Sequence, residues 1–135
     1  MMIVREAGTP DFADIQDCVA STNYYQAISP QHQGGRWLVG ETNGQIVACV
    51  WLMVEAPNAY LDFLAVRPGH SGAGPRLLAY TRHWLLERGI RYLRSVIKDS
   101  NLPAVRLGLA FRGALDPGYV LLYWTGDADG IPDAD

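Results

Sequence analysis

The chain has 135 residues, 49% apolar and 19% charged, the proportions of one soluble globular domain large enough to bury its own core. Its formal net charge is −3, but the last eleven residues, TGDADGIPDAD, hold four aspartates and no base, which leaves residues 1–124 at +1 (−3 less −4). A near-neutral body with scattered arginines excludes a nucleic-acid-binding surface, the absence of an 18-residue apolar run excludes a membrane helix, and the N-terminal MMIVREAGTPDF lacks the apolar stretch of a secretory signal. Cys18 and Cys49 have no metal-like spacing and read as buried free thiols in a reducing compartment, so a cytoplasmic protein is expected.

In chain order, Ile3 to Glu6 alternate weakly and predict a first strand. Thr9 offers an N-cap hydroxyl with Pro10 at the first helical position, and Phe12, Ile15, Cys18 and Val19 recur at helical spacing up to about Ser21. The segment TNYYQAISPQHQGG is polar and aromatic, with Pro30 and Gly34-Gly35 as breakers, and predicts a loop in which His32 is solvated. Arg36 to Thr42 and Gln45 to Glu55 flank Asn43-Gly44, the strongest short hairpin signal, and predict antiparallel strands two and three. Tyr60 to Val66 is strand four.

A helix from Pro75 follows, with Leu77, Leu78, Thr81, Trp84, Leu85 and Arg88 on one side and Gly89 as a left-handed stop. Ile90 to Ile97 is strand five, joined to strand four by that helix, hence parallel to it through a right-handed crossover. Asp99-Ser100-Asn101 cap a short helix at Leu102 to Ala110. Phe111 to Leu115 and Tyr119 to Trp124 close the chain as a hairpin around Asp116-Pro117-Gly118. The expected fold class is α/β (α+β): a mixed, mostly antiparallel sheet of about seven strands, with a central parallel pair formed by strands four and five and helices on both faces. Residues 1–124 form the single domain and 125–135 an acidic tail too polar to fold by itself. The DADG of that tail is cut off from any twelfth-position glutamate, so no metal is expected.

The stretch between strand four and the next helix carries the chemistry. Its glycine-punctuated RPGHSGAG turns backbone NH groups toward an anion, and the first NH groups of the following helix have no partner within the helix. Gly69 and Gly74 have the spacing of a nucleotide-hydrolase phosphate loop, but Pro75-Arg76 stand where Lys and Ser or Thr are required. Gly69-His70-Ser71-Gly72-Ala73 nearly matches a hydrolase nucleophile elbow, yet the sole later histidine, His83, lies inside the helix with no acid before it.

The run LAVRPGHSGAGPRLL resembles the acetyl-CoA signature of the GNAT family of N-acetyltransferases, and the element order is similar to that family's over about residues 2–124. The resemblance implies an acetyl-CoA cosubstrate, with Leu64, Ala65 and Val66 binding the pantetheine arm through their backbone. It further implies Ser71, Gly72, Ala73, Gly74, Pro75 and Arg76 around the pyrophosphate, and Asn101, with Ala104, at the start of the next helix near the cofactor. In this sequence Ser71 replaces the usual Arg or Gln, Pro75 has no NH, and Arg76 replaces a small residue. Gly108 stands where many members carry a tyrosine that protonates the leaving thiolate.

For an acceptor amine of pKa near 10.4, fewer than about one molecule in a thousand is deprotonated at pH 7, so a base is useful. Asp62, inside strand four, is the candidate base, with a structural carboxylate as the alternative. Tyr60 and Tyr80 are substitutes for the missing acid or else core aromatics. The expected function is transfer of an acetyl group from acetyl-CoA to a primary amine of a small molecule or protein. The alternative, motivated by Ser71, Arg76 and Gly108, is a non-catalytic binding or structural protein on the same fold. Small members of this family often pair, so the resemblance allows a homodimer.

Overall fold

The computed structural model describes residues 1–22, 35–90, 92–98, 114–116 and 119–124. The predicted helix at Leu102 to Ala110, with Asn101, Ala104 and Gly108, lies outside them, as do His32, most of the polar loop before Gly35 and the acidic tail.

Strand β1 (Ile3–Glu6) leads through a single 3₁₀ turn (Thr9–Asp11) into helix α1 (Phe12–Ala20). The predicted Thr9 cap is not used. The turn begins one residue earlier, and its first amide, that of Gly8, donates to Asp11 Oδ2 at 2.8 Å. Pro10 fits because a first-turn residue has no helical acceptor for an NH. Ile15, Cys18 and Val19 form the buried stripe of α1.

Strands β2 (Arg36–Thr42) and β3 (Gln45–Glu55) have the predicted bounds, and the two residues between them take φ +52° (Asn43) and +77° (Gly44). Positive φ at both central positions is what a right-twisted two-residue hairpin requires. Strand β4 (Asn58–Val66) starts two residues before the expected Tyr60. It is followed by helix α2 (Ala73–Glu87), strand β5 (Tyr92–Lys98), and the short hairpin of β6 (Ala114–Asp116) and β7 (Tyr119–Trp124). The strand order is β1-β2-β3-β4-β5-β7-β6, with antiparallel neighbours except β4 and β5, which run parallel.

This is a mixed α+β fold with a largely antiparallel sheet and, among the described residues, one helix on each face. Seven consecutive residues of β3, Ile46 to Leu52, are buried, because both faces of this interior strand are covered. On one face, α1 packs Ile15, Cys18 and Val19 over Trp37, Val39, Ile46, Cys49, Trp51 and Ala65. On the other, α2 packs Leu77, Leu78, Trp84 and Leu85 over Leu38, Val50, Leu52 and Leu61. Full burial of such side chains stabilises by roughly 1.5–3 kcal/mol each. Val47 and Ala48 both join the α2-side core, because β3 bulges there: Gly40 faces Ala48 while Glu41 faces Ile46.

Helix α2 ends as its sequence predicts. The Ile90 amide donates to Leu85 O at 3.0 Å and the Gly89 amide to Leu86 O at 3.1 Å, with Gly89 at φ +73°. This is a Schellman closure, and buried Ile90 supplies its apolar contact. Trp84 anchors the helix to β1: its Nε1 donates to Glu6 Oε1 at 2.6 Å, and the Arg88 guanidinium stacks 3.8 Å from the indole while binding the same carboxylate.

Candidate active site

The loop after β4 is built from two successive turns. The Arg67 amide donates to Val47 O at 2.8 Å, which ends the strand on the β3 ladder. His70 N then donates to Arg67 O at 3.2 Å, with Pro68 and Gly69 (φ +88°) at the central positions, the signature of a type II turn. Ala73 N donates to His70 O at 2.9 Å and opens α2. The helix therefore starts two residues before the predicted Pro75, which becomes its third residue. There the proline costs little, since that amide has no helical acceptor in any case.

Among the described residues, the Ser71, Gly72 and Gly74 amides donate to no backbone carbonyl. Ser71 and Gly72 are exposed, and nothing lies within 4 Å of where a Gly72 Cβ would stand. The amides of exposed Ser71 and Gly72 and the positive end of a 15-residue helix thus meet at an open surface, an arrangement suited to an anion. Ala73 is buried in the α2-side core, Gly74 is buried, and Pro75 is half-buried. Arg76 is exposed, and its Nη2 donates to Met2 O at 3.3 Å, so its guanidinium is directed to the start of the chain.

Arg67 holds the loop from below. Its Nε donates to Ile46 O at 2.6 Å, and its Nη2 to Asp14 Oδ1 at 2.9 Å; Asp14 Oδ2 in turn accepts the Ile46 amide at 2.8 Å. One carboxylate of α1 and one guanidinium thereby fasten the bulged end of β3 to the beginning of the loop. No short-range signal marks this pair, whose members are 53 residues apart; the presence of Arg before Pro68 was the only trace. Beside them the buried free thiols of Cys18 and Cys49 meet, and their mutual hydrogen bond, with burial, pushes the Cys49 thiol well above the ordinary range.

Strands β4 and β5 pair over only three positions, Asn58↔Tyr92, Ala59↔Leu93 and Tyr60↔Arg94, although β4 continues to Val66 and β5 to Lys98. Beyond Tyr60, β5 keeps β7 as its partner, while the β5-facing edge of β4 has none among the described residues. Leu64, Ala65 and Val66 lie on that open edge, next to the loop. A second irregularity falls there: Cys49 faces Ala65 and Trp51 faces Asp62, so Phe63 and Leu64 together oppose Val50. Ordinary alternation puts half-buried Leu64 and Val66 on the α2-side core and buried Ala65 on the α1 side, while the bulge lets Asp62, two residues before Leu64, face the α1 side.

Asp62 is half-buried and lies on the α1 side, the face of its register partner Trp51. Tyr60 is exposed on that same face, whereas Tyr80 packs against the α2-side core. Asp62 and Tyr60 thus share the α1 face of β4, whose open edge runs on to the loop, and the sheet separates Tyr80 from Asp62. Asn101 lies outside the described residues. Among the described residues no cluster of His, Cys, Asp and Glu could hold a metal, and no helix is long and apolar enough to cross a membrane.

The model of the acetyltransferase (GNAT) family matches residues 4–111. No curated protein sequence matches the chain. Among solved structures, the ribosomal-protein-S18-alanine N-acetyltransferase of Escherichia coli is similar with a TM-score of 0.81 at 17% identity, over 96% of this chain and 97% of that one. The PaiA N-acetyltransferase of Thermoplasma acidophilum, solved with coenzyme A, has a TM-score of 0.77 at 13% identity, over 93% and 99% of the two chains. The N-acetylglutamate synthase of Neisseria gonorrhoeae, solved with coenzyme A and L-arginine, has a TM-score of 0.67 at 20% identity, over 92% of this chain but 33% of that one. At these identities the likeness is one of fold, and the family match spans most of the chain. With the order of its strands and the loop between β4 and α2, this chain belongs to the GNAT acetyltransferase family.

Proposed function

We propose that the protein is an acetyl-CoA-dependent N-acetyltransferase, acting in the cytoplasm on a primary amine of a small molecule or protein. The observation that carries this reading is the separation of β4 from β5 after Tyr60, directly beside a loop with three amides free of backbone acceptors. The backbone edge at Leu64, Ala65 and Val66 can bind an extended amide-bearing arm as an added strand would. The amides of Ser71, Gly72 and Gly74 can hold a pyrophosphate at the start of α2, in the loop-and-helix segment that also holds Ala73, Pro75 and Arg76. Two of the similar structures were solved with coenzyme A, which supports the assignment.

Bound acetyl-CoA would supply an activated thioester. The protein's contribution is then to hold the acyl carbon beside the amine and to take up a proton. Proximity alone provides much of such an acceleration, and a base adds typically 100- to 10,000-fold. Asp62 is the base in this scheme, on the α1 side of the open strand edge. Tyr60, two residues before it on the same face, is the proton donor closest in sequence. Arg76 does not fill the loop, since its guanidinium is engaged with Met2 O. The departure at position 76 is thus compatible with binding, and the non-catalytic reading gains no support from it.

Titration calorimetry with acetyl-CoA tests the reading. Binding at sub-millimolar concentration is expected, and Gly74→Trp should abolish it, because Gly74 is buried where the chain passes under the loop. Absence of binding to the unsubstituted protein would refute the assignment, and unchanged affinity in Gly74→Trp would mean that the cofactor lies elsewhere.

A further inference from the structure

Two of the large apolar side chains that the fold leaves exposed are register partners. Met53 of β3, 45% exposed, faces Tyr60 of β4, 38% exposed, and the next pair on the same face is Trp51 with Asp62. Cross-strand partners share a face, so exposed Met53 and Tyr60 form one patch on the α1 side, bordered by half-buried Asp62, while Trp51 on the same face is buried in the core. Helix α1 does not cover it: the stripe of Ile15, Cys18 and Val19 packs over Trp37, Val39, Ile46, Cys49, Trp51 and Ala65, and neither Met53 nor Tyr60 belongs to that core. The patch lies inside the sheet, not on an outer strand, and Tyr60 makes the last pairing with β5 before the two strands part.

From this placement we infer that the acceptor is a primary amine attached to an aromatic or long aliphatic group, which rests on Tyr60 and Met53 with the ammonium toward Asp62. The inference rests on the acetyltransferase reading of the adjoining strand edge. An ammonium complements the carboxylate, and same-face residues along a strand lie roughly 7 Å apart, about the span of a short linker between an ammonium and a ring. A hydrophilic amine would reach Asp62 but leave the thioether and the phenol ring in water. An apolar group covers both, at the point where a bound acyl group would emerge between β4 and β5.

The test compares 2-phenylethylamine with ethanolamine as acceptors, and a tripeptide beginning with Phe with one beginning with Ser, which separates a small-molecule from a peptide source. The expected result is a kcat/KM at least about tenfold higher for the apolar member of the preferred pair. Tyr60→Ala and Met53→Ser, both at exposed positions, should raise its KM about fivefold or more with acetyl-CoA affinity unchanged. Equal use of apolar and hydrophilic amines, or variants that leave the preference intact, would overturn the inference. A second readout does not need turnover: 2-phenylethylamine should shift the methyl NMR signal of Met53, and ethanolamine should not. If acetyl-CoA fails to bind while that shift is seen, the transferase reading falls and the amine site stands. If acetyl-CoA binds and the shift is absent, the amine site falls by itself.

Discussion

Asp11 illustrates how a single carboxylate is set by its surroundings. It accepts from Arg5 Nη1 at 2.8 Å and Nη2 at 2.9 Å, a bidentate pair, and from the Gly8 amide at 2.8 Å. The Arg5 hydrogen bonds, then the Gly8 amide, hold its pKa at about 2, below the ordinary 3.8. A carboxyl group whose folded pKa is lowered stabilises the fold fully above its unfolded value, and this contribution disappears as pH falls through the folded value. Asp11→Asn is therefore expected to cost about 1–2 kcal/mol at pH 6, a modest figure because the pair is partly open to solvent. The difference from the unsubstituted protein should shrink below pH 4 and vanish near pH 2, as urea unfolding at a series of pH values would record. At this scale the sequence was only partly legible. Thr9 has the residue type of a cap, but the guanidinium of Arg5 fixes Asp11 in place to close the turn, and Arg5 is itself fixed by Glu41 across the sheet.

Helix α2 joins the anion loop to the core, and its two ends were unequally legible. Its C-terminus rests on a local rule: Gly89 takes φ +73°, and no atom lies within 4 Å of a Cβ there. Gly89→Ala is thus a test of backbone strain alone, with an expected loss of about 1 kcal/mol in chemical denaturation. Its N-terminus lies two residues before the predicted Pro75, because Gly74 is a poor helix former and single Ala73 between two glycines carries no local start signal. What recruits Ala73 and Gly74 is the turn closed by Ala73 N and His70 O, together with packing of Ala73 in the α2-side core and burial of Gly74. The hairpin of β2 and β3 had clear bounds, since Asn43-Gly44 adopts its turn from local sterics.

On the scale of the molecule, Asp14 and Arg67 tie α1, the bulged end of β3 and the start of the anion loop into one unit. The Arg67 side chain is 15% exposed, so its hydrogen bonds are largely shielded from water. Arg67→Ala is expected to lower stability by about 1–3 kcal/mol and to weaken acetyl-CoA binding severalfold, because the loop loses its anchor. Unfolding curves and calorimetry on the same variant would check both, and a loss of stability with unchanged affinity would show that the loop holds its shape without the anchor.

The sequence by itself determined the elements whose causes are local: the Asn-Gly hairpin, the apolar stripes of both helices, the Gly89 stop, and the glycine loop with its family resemblance. Only the tertiary structure decided what depends on contacts between distant residues. It opened β4 from β5 after Tyr60, set bulges opposite Gly40 and Val50, turned Arg76 toward Met2, and gathered Met53, Tyr60 and Asp62 on one face. Local sterics can be read within a few residues of chain, whereas strand register and the partner of a guanidinium are settled by the packing of the whole sheet.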